Sequence, residues 1–392
     1  MGTNAAPNAA GNLAGPPTDA TRSTMAVQPA TGSIAARAGA YVVLLGTAMT
    51  TVGLSWDIQW HIEVGPDTFF TLPHLLLYSG SAISGIASLV MVLMATSAHR
   101  AGRPLPRAVG GTPIRVFGGT FTAPLGYLVS GTGAASFLLY GLLDLQWHSI
   151  YGFDAVLNTP SHVALFLSIM ITMIGSVIVF ASAREQRWGQ LGVVLAIPIL
   201  ITFAPIPANG LSNLPLPIDP VILALIFFAP LLLIIGRGIL RRPGSAIAIA
   251  AVLGIMQAVL WWFSPWAAHV YAAASGLPLR DGLTPQPPKL PGTMPMFLIV
   301  AAVIVEVLFW MIRSRNLNAK KVLLLAGAVA GLITAGGLPL QLTLTDPTSN
   351  IAPAAIVTIT IIGLPLGVLA GYLGARFTTM INALPPATEA TR

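Results

Sequence analysis

Aspartate and histidine residues recur at fixed spacings in two segments of the chain. Each segment supplies one carboxylate and two imidazoles, and the residues are Asp57, His61 and His74, then Asp144, His148 and His162. Imidazole and carboxylate groups are ligands of copper, zinc, iron and manganese, and two histidines with one carboxylate leave coordination positions open for oxygen or substrate. The chain contains no cysteine, which excludes thiolate metal sites and disulfides. The chemistry that these residues predict is metal binding.

The spacing of the ligands predicts a helix–loop–helix hairpin. Asp57 and His61 are four residues apart, which places both side chains on one face of a helix, one turn from each other. After a loop of about ten residues, a second helix begins at Pro73, because proline is favoured in the first turn of a helix. His74 stands in that first turn, level with the earlier pair. We therefore expect Asp57, His61 and His74 to surround one ion.

The second segment repeats the first at an offset of 87 residues. Asp, Gln, Trp, His, Gly, Asp and Pro coincide, and only the last histidine is displaced, by one position. This pattern predicts a tandem repeat of the hairpin over the first four helices, with the copies related by a pseudo-twofold axis along the membrane normal. Asp67 and Asp154 are interpreted as caps of the returning helices, and Trp60 and Trp147 as members of an interfacial aromatic belt.

The composition places these hairpins in a membrane. Of the 392 residues, 55% are hydrophobic and 8% charged, whereas about a quarter of the residues of a soluble domain are charged. Ten apolar spans, most near the ~20 residues that a helix needs to cross a bilayer, lie at 37–58, 69–97, 121–143, 160–183, 189–207, 218–237, 244–268, 295–312, 321–344 and 352–376. Prolines weaken the fifth span, and Gly336, Gly337 and Pro339 weaken the ninth. The sequence predicts an all-α, polytopic membrane helical bundle of about ten transmembrane helices.

Charge is distributed unequally between the two ends of these spans. With the N-terminus placed in the cytoplasm, 17 of the 19 Lys and Arg residues fall on the cytoplasmic side, which is the positive-inside pattern. Eight of the 12 acidic residues and five of the six histidines fall on the opposite side, a surface that attracts cations. Both termini are therefore predicted inside, with the metal ligands on the outer face of a bacterial-type inner membrane. Because the basic pI is an orientation signal, nucleic acid is not an expected partner.

The same pattern divides the chain into four regions. These are a disordered cytoplasmic tail (1–36), a duplicated metal-binding four-helix unit (37–183), six further transmembrane helices without an assigned role (184–376) and a second cytoplasmic tail (377–392). Glu306 lies near the middle of the eighth span, so it is either functional or a protonated group that hydrogen-bonds a neighbouring helix. His269 is interpreted as an interfacial residue rather than an extra ligand. The proline-rich loop 276–293 is expected to form an extended outer cover.

Residues 50–170 resemble the C-type subunit of the copper membrane monooxygenases, the family of particulate methane and ammonia monooxygenases. The family pattern is Asp-x3-His-x12-His, with Trp before the first His and Asp-Thr-x-Phe before the second. The matching positions are Asp57, Trp60, His61, Asp67, Thr68, Phe70 and His74. The second set also fits the family's spacing, although the family usually has Asn where Asp144 stands.

This resemblance implies copper as the metal, with zinc or iron as lesser alternatives. It also implies oxygen-dependent oxidation of a small apolar substrate, in a complex with two partner membrane subunits. The family's C-type subunit has fewer helices than ten, so residues 184–376 fall outside the resemblance. Two other functions remain open: a metal transporter or metal-loading protein with a capture site on the outer face, and a non-catalytic structural subunit. No residue is assigned a catalytic role.

Overall fold

The computed structural model describes residues 31–152, 158–283, 287–315, 317–346 and 349–383. These residues form eleven α-helices and one β-hairpin. Their bounds are α1 (Thr31–Glu63), α2 (Leu72–Arg100), β1 (Pro113–Val116), β2 (Phe121–Pro124), α3 (Leu125–Tyr151), α4 (Pro160–Ser182), α5 (Arg187–Phe203), α6 (Pro220–Leu240), α7 (Ser245–Ala274), α8 (Lys289–Thr293), α9 (Leu298–Arg315), α10 (Ala319–Thr345) and α11 (Pro353–Ala383). The predicted helical fold is confirmed, with the β-hairpin between α2 and α3 as an addition.

Nine of the described helices are long and apolar enough to cross a membrane, namely α1 to α7, α10 and α11. The prediction of about ten spans is confirmed for these nine. Helix α9, which corresponds to the predicted span 295–312, is not among them because its 18 residues include Glu306, Arg313 and Arg315. The chain is therefore a multi-pass membrane protein.

The segment that ends in α9 nevertheless passes from one end of the bundle to the other. At its start, the backbone N–H of Arg280 donates to the carbonyl of Glu63, the last residue of α1 (2.8 Å). At its end, the guanidinium of Arg313 donates to the carbonyl of Arg241, which directly follows α6 (3.1 Å). Helices α1 and α6 end on opposite sides, because consecutive helices joined by short loops alternate in direction. The short helix α8 and α9 together make this crossing.

Two buried glutamines hold helix α8 and the residues after it, together called the α8 segment (289–296), inside the bundle. Nε2 of Gln257, in α7, donates to the carbonyls of Pro291 (2.7 Å) and Met294 (3.0 Å). Nε2 of Gln341, in α10, donates to the carbonyl of Met294 (2.9 Å), and its Oε1 accepts from the N–H of Met296 (2.7 Å). Non-helical backbone inside a membrane protein needs internal partners, and these side chains supply them. The loop expected to form an outer cover thus turns inward at α8.

Glycines let the helices of each ligand-bearing hairpin approach closely. A Cβ at Gly80 of α2 would lie 2.5 Å from the carbonyl oxygen of Gly46 in α1. A Cβ at Gly133 of α3 would lie 2.5 Å from the backbone nitrogen of Thr172 in α4. Small residues at such crossings are typical of membrane helix pairs, which are joined by packing. The pairing brings the end of α1 next to the start of α2, and the end of α3 next to the start of α4.

The third predicted span, 121–143, differs most from the observed helix. Its first four residues form strand β2, which pairs antiparallel with β1 so that Phe121 lies opposite Val116. Helix α3 then runs from Leu125 to Tyr151, eight residues beyond the predicted end. The second Asp–His pair therefore lies inside the helix.

Other boundaries shift less. Helix α1 begins at Thr31, six residues before the predicted span, and α11 continues to Ala383. Helix α10 runs through Pro339 without a break, whereas α5 ends at Phe203 and a 3₁₀ turn follows. Residues 1–30 and 384–392, which hold most of the two predicted tails, lie outside the described residues.

Candidate metal centre

The six predicted ligands gather into two groups at one end of the bundle. Asp57 and His61 lie in the last two turns of α1, and His74 lies in the first turn of α2. Asp67, in the loop between these helices, joins them in what we call the first cluster. The second cluster occupies the same places in α3 and α4, and its members are Asp144, His148 and His162. Within each cluster, one ligand atom from every residue lies within 4.8 Å of the others.

The first cluster alternates imidazoles with carboxylates. Nε2 of His74 lies 3.0 Å from Oδ1 of Asp57 and 3.6 Å from Oδ2 of Asp67. Nε2 of His61 lies 3.2 Å from Oδ2 of Asp67 and 3.8 Å from Oδ1 of Asp57. The interpretation of Asp67 as a helix cap was wrong, because Thr71 occupies the N-cap position of α2. The Asp-Thr-x-Phe stretch was the sequence signal that could have placed Asp67 among the ligands.

The second cluster is built around a single described carboxylate. Oδ2 of Asp144 lies 3.6 Å from Nε2 of His148, and its Oδ1 lies 3.7 Å from Nε2 of His162. The two imidazole rings are 5.3 Å apart, compared with 6.4 Å between His61 and His74 in the first cluster. Asp154, the counterpart of Asp67 in the sequence, lies outside the described residues.

The separations between donor atoms fit the space around an ion. Ligand atoms about 2.0–2.1 Å from a metal are about 2.8–3.4 Å apart in octahedral or tetrahedral geometry. The carboxylate–imidazole separations here run from 3.0 to 3.8 Å, so small side-chain shifts would close both clusters on an ion. Oδ1 of Asp57 and Oδ1 of Asp144 are buried and accept no hydrogen bond of good geometry from the described residues. A cation would compensate these two oxygens, which are otherwise costly to bury.

Oxygen atoms that contact Nδ1 orient the rings of three of the histidines. Nδ1 of His74 lies 3.0 Å from the carbonyl of Thr68, and Nδ1 of His148 lies 2.9 Å from the carbonyl of Gly152. In the second cluster, Nδ1 of His162 lies 2.7 Å from Oγ1 of Thr159. A proton held on Nδ1 leaves the lone pair of Nε2 directed at the cluster, which is the usual arrangement behind a metal-binding histidine.

Trp60 holds the loop that carries Asp67. Its Nε1 donates to the carbonyl of Pro66 (2.8 Å), and the side chain is 1% exposed. Its ring packs against Tyr271 of α7, with the ring centroids 4.7 Å apart. The interpretation of Trp60 as part of an interfacial belt is therefore wrong. Because Pro66 directly precedes Asp67, the indole fixes the backbone that presents this carboxylate.

Asp67 is the member of the first cluster that lies outside the helices. Burial raises the pKa of its carboxyl group. The hydrogen bond with His61 and the charge of the nearby His74 ring lower that pKa by more, so the net pKa lies below its ordinary value. Its Oδ1 also accepts from the backbone N–H of Thr68 (2.8 Å). Asp67 is therefore an anion at neutral pH, the form that binds metal.

Both clusters face one cavity of about 50 Å³. Besides the ligands, the lining is mainly apolar, and it includes Leu54, Leu77, Phe137, Leu165 and Ile169. Tyr78 adds a phenol to this wall, and its ring stacks on that of His74 with the centroids 5.7 Å apart. A cavity of this size has room for a few water molecules or one small ligand.

Glu306 forms a buried ion pair far from the clusters. Its Oε2 accepts from Nε of Arg237 in the last turn of α6 (2.8 Å), and its Oε1 accepts from the N–H of Ala246 in the first turn of α7 (2.8 Å). The guanidinium also lies over the ring of Phe309, 4.7 Å from the centroid. Glu306 is thus bonded to neighbouring helices, as one of the two interpretations predicted, but as an ion pair with Arg237 rather than as a protonated carboxyl group. Arg237, which was counted with the inner loops, is 3% exposed inside the helix bundle.

His269 pairs with Glu63 and belongs to neither described cluster. Nε2 of His269 lies 3.0 Å from Oε2 of Glu63, and about half of the imidazole is exposed. This contact joins α7 to the end of α1. It agrees with the interpretation of His269 as an interfacial residue.

The fold and the two clusters define a membrane-spanning helical protein with grouped histidine and aspartate residues that could hold metal ions. Comparison with known proteins adds no relative, because no family model, no curated protein and no solved structure matches the chain.

Proposed function

We propose that the chain is an integral membrane copper protein, related to the C-type subunit of the copper membrane monooxygenases, that takes part in oxygen-dependent oxidation of small apolar substrates. The observation that carries this proposal is the pair of Asp/His clusters facing one mainly apolar cavity. In each cluster, a buried carboxylate oxygen accepts no hydrogen bond of good geometry from the described residues. Two such sites are difficult to explain by hydrogen bonding alone.

The donor set favours copper. The Asp and His side chains supply only nitrogen and oxygen donors, and divalent copper binds such ligands more tightly than the other first-row metals. Asp57, His61, Asp67 and His74 would hold one ion, and the second cluster would hold another. Bound copper supplies one-electron redox chemistry and a site for oxygen. The chain's own apolar residues would keep bulk water away and receive an apolar substrate.

The predicted topology belongs to the same proposal. The ligand-bearing ends of α1 and α3 would face the outside of a bacterial-type inner membrane, and both termini would lie in the cytoplasm. The arginine-rich ends of α2 and α6 support this orientation through the positive-inside rule. Partner membrane subunits would complete the oxidising complex, as they do in the family that the sequence resembles.

Transport of the metal through the bundle is less well supported. The wall of the cavity beyond the ligands is mainly apolar. Buried hydroxyls do continue down the helices, but Thr50 donates to the carbonyl of Leu77 (3.3 Å) and Ser88 donates to the hydroxyl of Ser130 (3.1 Å). Hydroxyls that are satisfied in this way tie helices together and offer no open path to an ion.

The metal content of the purified protein tests the proposal. The full-length protein, in lipid nanodiscs, should retain copper after dialysis against a weak chelator. His61→Ala combined with His74→Ala should remove the copper of the first cluster, and His148→Ala combined with His162→Ala should remove that of the second. His99→Ala, at the opposite end of α2, is the matched control and should change nothing. Copper content unaffected by either double substitution would refute the site.

Activity then separates the functions. Copper-loaded membranes that contain the protein and its partner subunits should consume oxygen when a short alkane or ammonia is added, and the double substitutions should abolish that consumption. Copper uptake into sealed vesicles without any oxidation would instead establish a transporter. Bound copper with neither activity would establish a structural or metal-storing protein.

A further inference from the structure

The β-hairpin between α2 and α3 carries an exposed aromatic tip. Phe117 directly follows β1, its side chain is 82% exposed and its φ is +51°. Bulky residues rarely adopt this left-handed conformation, and such outliers concentrate at functional positions. Its ring meets only the edge of Phe121 among the described aromatic rings, with the centroids 6.3 Å apart. The fold thus holds a phenylalanine outward at a conformational cost.

The hairpin is fixed to the end of α2, so its tip has a defined position. The N–H of Thr122, in β2, donates to Oγ1 of Thr96 (3.0 Å), and that hydroxyl donates to the carbonyl of Thr122 (3.2 Å). At the tip, the guanidinium of Arg100 donates to the carbonyl of Thr120 (2.8 Å). Strand β2 is largely buried against the bundle, whereas the residues of β1 are mostly exposed.

The contact with Arg100 shows which side of α2 the tip occupies. Ile86, Leu93 and Arg100 are spaced by seven residues, which places them on one face of the helix. Ile86 is 63% exposed and Leu93 is 46% exposed, as expected for side chains that face lipid. Because Arg100 continues this lipid-facing row and binds Thr120, the tip of the hairpin lies on the lipid side of α2, where the helix leaves the apolar layer.

The charged residues that flank the tip in the sequence are all basic. Arg103 and Arg115 are exposed, and no Asp or Glu occurs between Thr68 and Leu143. Juxtamembrane arginines bind anionic lipid headgroups, and aromatic side chains favour the boundary between headgroups and acyl chains. A soluble protein partner would not need the tip to lie on the lipid side of a membrane helix.

We propose that this hairpin docks onto anionic headgroups of its own membrane, with the ring of Phe117 inserted among the upper acyl chains. Arg103 and Arg115 contact lipid phosphates, and Arg100 holds the turn in the inserting position. The hairpin thereby anchors the end of the bundle opposite the Asp/His clusters. This inference does not depend on metal binding.

Because the chain has no cysteine, a single Phe117→Cys substitution can be labelled selectively. The label is an environment-sensitive dye, read in nanodiscs of phosphatidylcholine with and without phosphatidylglycerol. The dye should shift to the blue in the anionic nanodiscs, and lipids with a spin label high on the acyl chain should quench it more than aqueous iodide does. A dye on Ser314→Cys, exposed at the end of α9, is the control for general membrane proximity.

Arg103→Gln combined with Arg115→Gln should reduce the blue shift and the lipid quenching at position 117 by half or more. These arginines are exposed, so the fold should tolerate the change, and an unchanged helical circular dichroism spectrum verifies it. A dye at position 117 that is quenched by iodide and not by spin-labelled lipid in both nanodiscs would overturn the proposal. That result would leave a protein partner as the occupant of the tip.

Discussion

At the scale of single residues, the charges of the clusters pose the central physical problem. Asp57 and Asp144 each bury a carboxylate oxygen without a hydrogen-bond donor of good geometry among the described residues. Because Nδ1 of His74 and of His148 faces a backbone carbonyl, Nε2 of each ring either carries a second proton and pairs with the carboxylate or offers its lone pair to a metal ion. A metal ion satisfies all of these groups at once, because it accepts lone pairs from imidazole nitrogen and carboxylate oxygen together.

Asp67→Asn tests whether the loop carboxylate is a ligand of the first cluster. The amide removes the negative charge but keeps the shape, so we expect copper affinity at this cluster to fall about 10- to 100-fold. Titration against a competing copper chelator measures the change. Asp281→Asn, on an exposed loop outside both clusters, should leave the affinity unaltered. Equal affinities for Asp67→Asn and the unmodified protein would remove Asp67 from the site.

Glu306→Leu tests the buried ion pair. The substitution leaves the guanidinium of Arg237 buried without its partner, which should destabilise the protein by about 3–5 kcal/mol. Adding Arg237→Met should recover much of that loss, because the double variant no longer buries a lone charge. Thermal unfolding in detergent measures both. A double variant less stable than Glu306→Leu alone would mean that Arg237 has a separate structural role.

Residue types and spacing predicted which six side chains come together, because helix periodicity and loop length fix where they lie. The contribution of Asp67 was missed because it depends on the path of a loop. That path is set by the bond from Trp60 to Pro66 and by the packing of Trp60 on Tyr271, more than 200 residues later in the chain. The partner of Glu306 was likewise unpredictable, since Arg237 belongs to a different helix.

At the scale of elements, the α8 segment shows how the bundle accommodates non-helical backbone. The carbonyl of Met294 accepts from both Gln257 and Gln341, so two helices share the task of satisfying it. Apolar spans and their caps can be read from sequence. The inward turn at α8 could not be predicted in this way, because the residues that bind its backbone lie on helices distant in the chain. The β-hairpin was missed because its strands are only four residues long.

Gln341→Leu should destabilise the bundle more than Gln257→Leu. Gln341 supplies both a donor and an acceptor to the α8 segment, whereas the contacts of Gln257 with the described residues of that segment are donor contacts. Each buried backbone group that is left without a partner costs about 1–3 kcal/mol. Thermal unfolding in nanodiscs measures the difference, with the exposed Gln146→Leu as control. Equal stability of Gln341→Leu and the control would show that the α8 segment does not need this clamp.

At the scale of the whole molecule, the chain separates its functions between two ends. The Asp/His clusters lie at the end formed by α1 and α3, and most of the arginines lie at the other. Hydropathy and charge were sufficient to predict a multi-pass helical protein because membrane helices carry both signals locally. The ten predicted spans include that of α9, although its charges set it apart from the other nine, and the contacts of Arg280 and Arg313 place the two ends of its segment on opposite sides of the bundle.

The orientation in the membrane can be measured with single cysteines. Ser275→Cys lies after α7 at the clustered end, and Ser314→Cys lies near the end of α9 at the arginine-rich end. An impermeant maleimide should label Ser275→Cys in intact cells and should label Ser314→Cys only after lysis. The reverse pattern would place the clusters in the cytoplasm and contradict the predicted topology.

The most direct test of the central claim is X-ray absorption at the copper edge on the purified, copper-loaded protein. We expect nitrogen and oxygen ligands at about 2.0 Å and the multiple-scattering signature of imidazole. Combined alanine substitution of His61, His74, His148 and His162 should remove that signature along with the copper. A spectrum without imidazole scattering, or one that survives the four substitutions, would contradict metal binding at these clusters.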